Sequence, residues 1–251
     1  MVKLTIDLIG NKAQFAGMHF SHLMHNIPRP FSADHGYEVR QFFDADGEEI
    51  QNFVAAVAGS SPYLKGLIEK EHQWLRGAFA QPDAALKVEF SDLKATADSD
   101  LMSALRRAKR RVALWTALCD LAGVWPLEEV TAALSKFADL VCQISLNHAL
   151  KVQLQRGKIP KRKPETDPAG LGMFVLAMGK LGANELNYSS DIDLICFFDE
   201  SYFASMDIFE ARAGFIRATK NMVALLNDIT AEGYVFRTDL RLRPDPSVPP
   251  V

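Results

Sequence analysis

The chain has 251 residues, of which 48% are hydrophobic and 24% are charged, and its formal net charge at pH 7 is -3. This composition is typical of a globular protein with a sizeable core, and the net charge argues against a broad nucleic-acid-binding surface. No stretch has the length and apolarity of a membrane span, and the three cysteines lack the number and spacing of a disulfide framework or a zinc site. We therefore expect a cytoplasmic enzyme or regulator that binds neither membrane nor nucleic acid.

The amino-terminal half of the chain has the apolar spacing of helices. Apolar residues recur every three or four positions, which predicts helices over residues 46–58, 62–80 and 100–122. The pair Ser61-Pro62 is a plausible helix entry, because proline is favoured at the first helical position. The third helix carries a basic run over residues 106–111. We expect either a solvated face whose arginines pair with acidic residues, or a contact for phosphate or an acidic partner surface.

A long helix is predicted over residues 127–155. Gly157 lies just beyond it, where helices commonly end with glycine. Residues 158–170 contain three prolines and four basic residues, a composition that does not support a helix or a strand. This segment is therefore predicted to be a linker or an exposed loop.

Helix and strand patterns alternate in the rest of the chain. The predicted elements are a strand over 173–178, a helical turn over 181–186, a strand over 191–198, a helix over 207–232 and a strand over 234–243. The sequence therefore predicts an α+β fold. A helical amino-terminal region occupies residues 1–125, and a second domain over residues 126–251 contains a small mixed sheet with helices packed against it.

The candidate site begins where the first two of these strands are connected. A short apolar run leads into Gly179-Lys180, and Asp191 lies twelve positions after Gly179, with Asp193 two further on. The two-residue period of a strand places both carboxylates on one face. Two carboxylates held so close repel each other unless a divalent cation lies between them, and a glycine turn offers backbone amides to an anion. The segment is therefore interpreted as a nucleotide-handling site.

The last predicted strand supplies a third carboxylate. Its alternation places Asp239 on the same face as Arg237, Arg241 and Arg243. An aspartate among arginines is also consistent with a purely structural ion pair. Three carboxylates on neighbouring strands are, however, what a two-metal centre for phosphoryl or nucleotidyl transfer needs, and nearby arginines can neutralise charge on phosphate oxygens.

These motifs carry a resemblance to known families. Gly179, the twelve-residue spacing and Ser190-Asp191-Ile192-Asp193-Leu194 resemble the signature of the polymerase-beta-type nucleotidyltransferase superfamily. More closely, MGKLGANELNYSSDIDLI followed by FRTDLRLRP is similar to the bacterial bifunctional glutamine synthetase adenylyltransferase/adenylyl-removing enzymes. Earlier motifs, SPYLKGLI and LRRAKRRVALWTALCDLAGVWPLEEV, extend the resemblance over about residues 61–244.

The resemblance implies a polymerase-beta-like nucleotidyltransferase domain with a metal site and a nucleotide site. The implied catalytic and metal-binding residues are Asp191, Asp193 and Asp239, with Mg²⁺ or Mn²⁺ as the cofactor. The implied nucleotide- and phosphate-binding residues are Gly179, Lys180, Ser190, Arg241 and Arg243. Lys180 stands where the superfamily usually has serine, so it would meet phosphate as a point charge.

The resemblance also implies an activity. The family has two nucleotidyltransferase units in one chain: the amino-terminal unit removes AMP from a tyrosine of glutamine synthetase by phosphorolysis, and the carboxy-terminal unit attaches it. The Met-Gly-Lys opening and Glu185-Leu186-Asn187 are similar to the amino-terminal unit. We therefore expect an adenylyl-removing phosphorylase that yields ADP and regulates nitrogen assimilation. An adenylyltransferase that uses ATP in the forward direction and a non-catalytic regulatory fragment are the alternatives.

The implied partners follow from the same family. They are glutamine synthetase, ATP or ADP, phosphate and, in full-length members, a PII-type nitrogen signal protein. The chain ends shortly after the third carboxylate strand, whereas the family continues into a helical bundle and a second catalytic unit. From this we expect an amino-terminal fragment of a multifunctional enzyme.

Overall fold

The computed structural model describes residues 17–160 and 172–240. The chain divides into two compact units that alternate along the sequence. Among the described residues, the helical unit contains 17–95 and 107–134, and the sheet unit contains 96–106, 135–160 and 172–240. None of the described helices is long and apolar enough to cross a membrane. The domain boundary near residue 125 stays a prediction.

The helices of the helical unit agree closely with the apolar periodicity. They are α1 (Ala33–Arg40), α2 (Glu48–Ser60), α3 (Pro62–Ala80) and α4 (Ala85–Ala95), followed by α5 (Leu101–Leu121) and α6 (Leu127–Gln155), which contribute residues to both units. The predicted bounds of α3 and α6 are confirmed, and those of α2 and α5 differ by one or two residues at each end. Helix α3 begins at Pro62 because the Ser61 hydroxyl accepts a hydrogen bond from the Leu64 N–H (3.3 Å).

Helices α1 and α4 are not predicted by the sequence pattern. Each buries only two or three residues, so the apolar stripe is too sparse to show a helical period. Helix α1 is held instead by close packing against α2. A β-carbon at Gly36 would lie 2.6 Å from the Ala55 carbonyl oxygen, so only glycine permits this approach.

An aromatic cluster forms the centre of the helical unit. Its members are Phe20, Phe43, Phe53, Phe79 and Trp115, and all are buried. The Phe20 ring lies 5.1 Å from the Trp115 ring and 5.2 Å from the Phe79 ring, measured between centroids. Burial of each ring contributes roughly 1.5–3 kcal/mol, so this cluster is a major source of the stability of the unit.

The basic run on α5 is only partly as expected. Arg110 and Arg111 do pair with acids: their Nε atoms lie 2.9 and 2.8 Å from the carboxylate oxygens of Glu71, and Arg111 also bonds Glu89 (2.9 Å). Arg106 contradicts the expectation of a solvated face, because its side chain is almost fully buried. The run therefore faces protein at several positions.

Lys109, in the same run, gives the stability a pH dependence. Burial lowers the pKa of Lys109 from 10.5 to about 8. The unfolded chain therefore binds more protons than the folded one between about pH 8 and 10.5, so stability rises with pH across this window. We expect wild type to gain stability relative to Lys109→Met from pH 8 to 10.5 in urea unfolding experiments. Parallel stability curves for the two proteins would contradict the lowered pKa.

The sheet unit contains the mixed sheet that the sequence predicts. Its elements are β1 (Met173–Ala177), α7 (Gly179–Gly182), β2 (Ile192–Phe198), α8 (Ile208–Asn227) and β3 (Thr238–Asp239). The strand order is β1-β2-β3, with β1 antiparallel and β3 parallel to the central strand. Ile192 and Leu194 of β2 are buried, so one face of this strand packs on the core.

The segment between α8 and β3 differs from the prediction. Helix α8 ends at Asn227 instead of residue 232, and Thr230 and Gly233 then exchange backbone hydrogen bonds in a tight turn. The apolar spacing misleads here because Ile229, which fits the helical stripe, is exposed in the structure. Strand β3 starts at Thr238 instead of residue 234, and residues 241–243 of the predicted strand lie outside the described residues.

Candidate active site

Asp193 and Asp239 occupy paired positions on the parallel strands β2 and β3. Paired residues on adjacent strands project from the same face of a sheet. The preceding pair, Ile192 and Thr238, projects from the opposite face, where Ile192 is fully buried. The two carboxylates therefore share the face of the sheet that is turned away from the core at this point.

Asp191 lies immediately before β2 and is joined to the start of β3. Its Oδ1 accepts a hydrogen bond from Arg237 Nη2 (3.2 Å), and the same Nη2 donates to the Ser189 carbonyl oxygen (3.2 Å). Both side chains of the ion pair are more than half exposed, so the pair adds little to stability. Its effect is to hold a guanidinium beside the carboxylates.

A cavity of about 350 Å³ opens beside these groups. It is lined by Asp191, Arg237, Thr238, Asp239 and Leu240. Its size lies within the range of small-molecule sites, and its lining combines carboxylates with one guanidinium. Such a lining suits a phosphate-containing ligand that binds together with a cation.

The glycine turn lies directly against Asp193. Gly179 has a positive φ of +55°, and a β-carbon added to it would lie 3.0 Å from Asp193 Oδ2. The Met178 N–H donates to the Asp193 carbonyl oxygen (2.9 Å), which ties the turn to β2. The positive φ favours glycine at residue 179, and any larger residue there would also press on the Asp193 carboxylate.

Among the other residues that the resemblance assigns to phosphate, Lys180 is exposed on α7. Ser190 is half-buried, and its hydroxyl hydrogen-bonds the Asn187 side chain within the same loop. Arg241 and Arg243 lie outside the described residues. The roles of these four residues stay predictions.

The metal site also stays a prediction. Within residues 17–160 and 172–240, no group of three or more His, Cys, Asp or Glu side chains is arranged to hold a metal ion. The structure pairs Asp193 with Asp239 in the strand register and joins Asp191 to Arg237, without closing a three-carboxylate set. The chemistry of the donors does fit, because carboxylate oxygens are the ligands that Mg²⁺ and Mn²⁺ prefer.

The structure adds Arg237 to the candidate site. The alternating pattern places this residue on the polar face of the last strand, but it is not among the binding residues that the resemblance implies. In the structure Arg237 forms an ion pair with Asp191 and lies in the wall of the cavity, so it belongs to the candidate site. The available sequence signal is its spacing, two positions before Asp239.

Gly179→Ala tests the contact between the glycine turn and Asp193. We expect the free energy of unfolding to fall by about 1–2 kcal/mol, because an L-residue is strained at a positive φ. We also expect about tenfold weaker Mn²⁺ binding, because the added methyl displaces the Asp193 carboxylate. Urea unfolding and Mn²⁺ titration measure the two effects separately.

Gly157→Ala is a matched control for this variant. Gly157 has a similar φ of +62°, but a β-carbon there meets nothing within 4 Å. It should lose a similar amount of stability and leave Mn²⁺ binding unchanged. If both variants bind Mn²⁺ as wild type does, the contact at Gly179 has no bearing on the carboxylates.

Comparisons with known proteins extend over most of the chain. The sequence model of the glutamate-ammonia ligase adenylyltransferase family matches residues 51–251. Several curated relatives are named bifunctional glutamine synthetase adenylyltransferase/adenylyl-removing enzyme. The protein from Bradyrhizobium sp. (strain ORS 278) is 43% identical over 203 residues, that from Rhodopseudomonas palustris (strain TIE-1) is 42% identical over 209, and that from Agrobacterium fabrum (strain C58) is 36% identical over 212.

The coverage of these matches is unequal. They include 78%, 81% and 80% of this chain, but only 21%, 21% and 22% of the respective relatives. The chain thus spans about a fifth of the length of the curated relatives that it matches. The names of the relatives describe proteins with two activities, and the matched part is one segment of each.

Proposed function

This chain belongs to the glutamate-ammonia ligase adenylyltransferase family, and we propose on that basis that it is a nucleotidyltransferase that removes the adenylyl group from glutamine synthetase. The proposed reaction is phosphorolysis of adenylyl-tyrosine, which gives ADP and unmodified glutamine synthetase. The proposed setting is the cytoplasmic control of nitrogen assimilation. A PII-type signal protein is a proposed partner of the longer protein.

The observation that carries this proposal is the strand register of β2 and β3. It brings Asp193 and Asp239, which lie 46 positions apart in the chain, to neighbouring places on one face. Asp191 is paired with Arg237, and both of these residues line a cavity of about 350 Å³ together with Asp239. A nucleotidyltransferase needs carboxylates and cationic groups that converge where a phosphate can bind.

The chemistry that we propose is a single in-line displacement. An oxygen of inorganic phosphate attacks the α-phosphorus of adenylyl-tyrosine, and the bond from that phosphorus to the tyrosine oxygen breaks. The new P–O bond completes ADP, and the tyrosine oxygen leaves and takes up the proton that phosphate gives up. No covalent intermediate on the protein is needed.

Each residue has a distinct proposed role. Asp191, Asp193 and Asp239 would hold Mg²⁺ or Mn²⁺, which when bound supplies Lewis-acid stabilisation of negative charge on the reacting oxygens. Arg237 neutralises charge on the phosphate oxygens from the wall of the cavity. Lys180, Ser190, Arg241 and Arg243 are proposed to bind the nucleotide and phosphate.

The proposed direction rests on local sequence. The Met-Gly-Lys opening of the turn and Glu185-Leu186-Asn187 resemble the adenylyl-removing unit of the family. In the structure these residues form one connected loop, because the Glu185 N–H donates to the Lys180 carbonyl oxygen (2.8 Å). The Leu186 N–H donates to the Ser135 hydroxyl on α6 (3.1 Å), which anchors the loop.

A product assay tests both the activity and its direction. The chain is incubated with Mg²⁺, phosphate and adenylylated glutamine synthetase, and in parallel with Mg²⁺, ATP and unmodified glutamine synthetase. The proposal expects phosphate-dependent ADP in the first reaction and no pyrophosphate in the second. Pyrophosphate in the second reaction would identify an adenylyltransferase instead. Nucleotide binding without either product would identify a non-catalytic fragment.

A further inference from the structure

Arg106, on α5, has an unusual environment for an arginine. Its side chain is 1% exposed, and its hydrogen bonds go to backbone carbonyl oxygens. Its Nε donates to Gly233 (2.8 Å), and its Nη1 donates to Met102 (3.0 Å) and Leu225 (3.3 Å). Its Nη2 donates to Asp228. A buried guanidinium thus binds several backbone acceptors at once.

Three of these acceptors belong to the segment that leads from α8 to β3. Leu225 is in the last turn of α8, Asp228 follows the helix, and Gly233 closes the tight turn. The last carbonyls of a helix have no partner within it, and a positive charge at this end of a helix is favourable. Arg106 therefore satisfies and fixes the backbone at the point where α8 ends.

The fork of the guanidinium explains why arginine fills this position. One group reaches acceptors on both sides of the turn, which the single ammonium of a lysine cannot do in the same geometry. Burial lowers the pKa of Arg106, and the charges of Asp228 and Glu232 raise it. The side chain stays protonated, since the pKa of arginine is far above neutral.

Strand β3 depends on this turn for its position. The strand has only two residues, and before it the N–H groups of Val235 and Phe236 both donate to the Leu226 carbonyl oxygen (2.9 and 3.0 Å). The chain between the turn and Asp239 is therefore tied to the end of α8 before it reaches the sheet. Arg106 binds Leu225 and Asp228 at the same helix end, so it is linked to Asp239 through a short stretch of backbone.

We propose that Arg106 is a positioning residue that fixes Asp239 in register with Asp193 by holding the turn between α8 and β3. The inference rests on the proposed function, because it assigns Asp239 to the site. Arg106 itself touches neither the cavity nor the carboxylates. It acts through the backbone of residues 225–238.

A double-mutant cycle read by Mn²⁺ titration tests this role. The proteins are wild type, Arg106→Lys, Asp239→Asn and the double variant, with Arg107→Lys as the matched control at the exposed neighbouring position. We expect Arg106→Lys to weaken Mn²⁺ binding by about tenfold when Asp239 is present and by less than about twofold when it is not. Arg107→Lys should bind Mn²⁺ as wild type does.

The cycle separates positioning from general support of the fold. Equal weakening by Arg106→Lys in both backgrounds, or none in either, overturns the proposal. If wild type releases no ADP but binds Mn²⁺ through Asp239, the proposed function fails while the inference is still decided by the cycle.

Hydrogen exchange covers the case in which wild type binds no Mn²⁺. Faster exchange of amides 235–239 in Arg106→Lys but not in Arg107→Lys then supports the inference, and unchanged exchange contradicts it. If Arg106→Lys does not fold, Thr230→Val takes its place. That variant removes the hydrogen bond that the Thr230 hydroxyl donates to the Gly233 carbonyl oxygen and the one that it accepts from the Glu232 N–H, and it should loosen the same turn.

Discussion

Asp193→Asn is expected to lower the rate of ADP release from adenylylated glutamine synthetase by about 10²–10³-fold. Asp193 is paired with Asp239 and lies against Gly179, so the substitution removes charge from the centre of the candidate site. The fold should persist, because asparagine has nearly the same shape and the side chain projects from the face opposite to the buried Ile192. Initial rates of ADP formation, with circular dichroism as the check on folding, measure the effect.

Asp199→Asn is the matched control at the other end of β2. The Asp199 carboxylate accepts a hydrogen bond from the Ser201 N–H (2.8 Å), and asparagine can accept the same bond. We expect its rate to stay within about twofold of wild type, since capping substitutions of this kind change little. Near-normal activity of Asp193→Asn, or an equal loss in Asp199→Asn, would exclude a specific role for Asp193.

The sequence predicts most of the long elements because they have a strong local period. Helix α6 has the same bounds in the prediction and in the structure, and β2 differs by one residue. Prediction from the spacing of apolar residues fails where the chain changes direction. The turn at Thr230–Gly233 interrupts a stripe of apolar residues, and no feature of that stripe marks Ile229 as exposed.

The candidate site is predictable to a similar extent. Asp191 and Asp193 are two positions apart, so the strand period predicts that they share one face, and alternation adds Asp239. Asp191 lies before β2 in the structure, so its place on that face stays a prediction. The parallel pairing of Asp193 with Asp239 and the ion pair of Asp191 with Arg237 are long-range contacts. The role inferred for Arg106 has no local sequence signal either, because its hydrogen-bond acceptor Gly233 lies 127 positions away in the sequence.

The helical unit contains a buried charge network that should dominate its response to mutation. The Glu71 carboxylate is 5% exposed and binds Arg110 and Arg111 through its two oxygens. Arg111 also binds Glu89 and lies over the Trp74 ring, 5.4 Å from its centroid. Two buried carboxylates, Glu71 and Glu89, thus pair with two guanidinium groups that are themselves mostly buried.

Glu71→Gln is expected to destabilise the helical unit by about 3 kcal/mol. Glutamine has nearly the same volume as glutamate, but it carries no charge. Its amide oxygen can accept a hydrogen bond from one arginine, whereas its amide nitrogen is a donor and cannot accept from the other. The loss should be large because the mostly buried guanidinium groups of Arg110 and Arg111 would each lose a charged acceptor within the protein. All three tryptophans of the chain, Trp74, Trp115 and Trp125, lie in the helical unit, so urea unfolding followed by tryptophan fluorescence reports on this unit.

The same substitution at an exposed carboxylate separates the effect of burial from the effect of charge. Glu38 pairs with Lys65 at 2.7 Å, but its side chain is 59% exposed. Glu38→Gln should leave the unfolding midpoint almost unchanged, because water already screens the Glu38 carboxylate and Lys65 keeps its ion pair with Glu69 (2.6 Å). A midpoint for Glu71→Gln as close to wild type as that of Glu38→Gln would show that Arg110 and Arg111 find water or other acceptors when Glu71 is neutralised. The network would then be a consequence of the packing of α3 and α5 and not one of its causes.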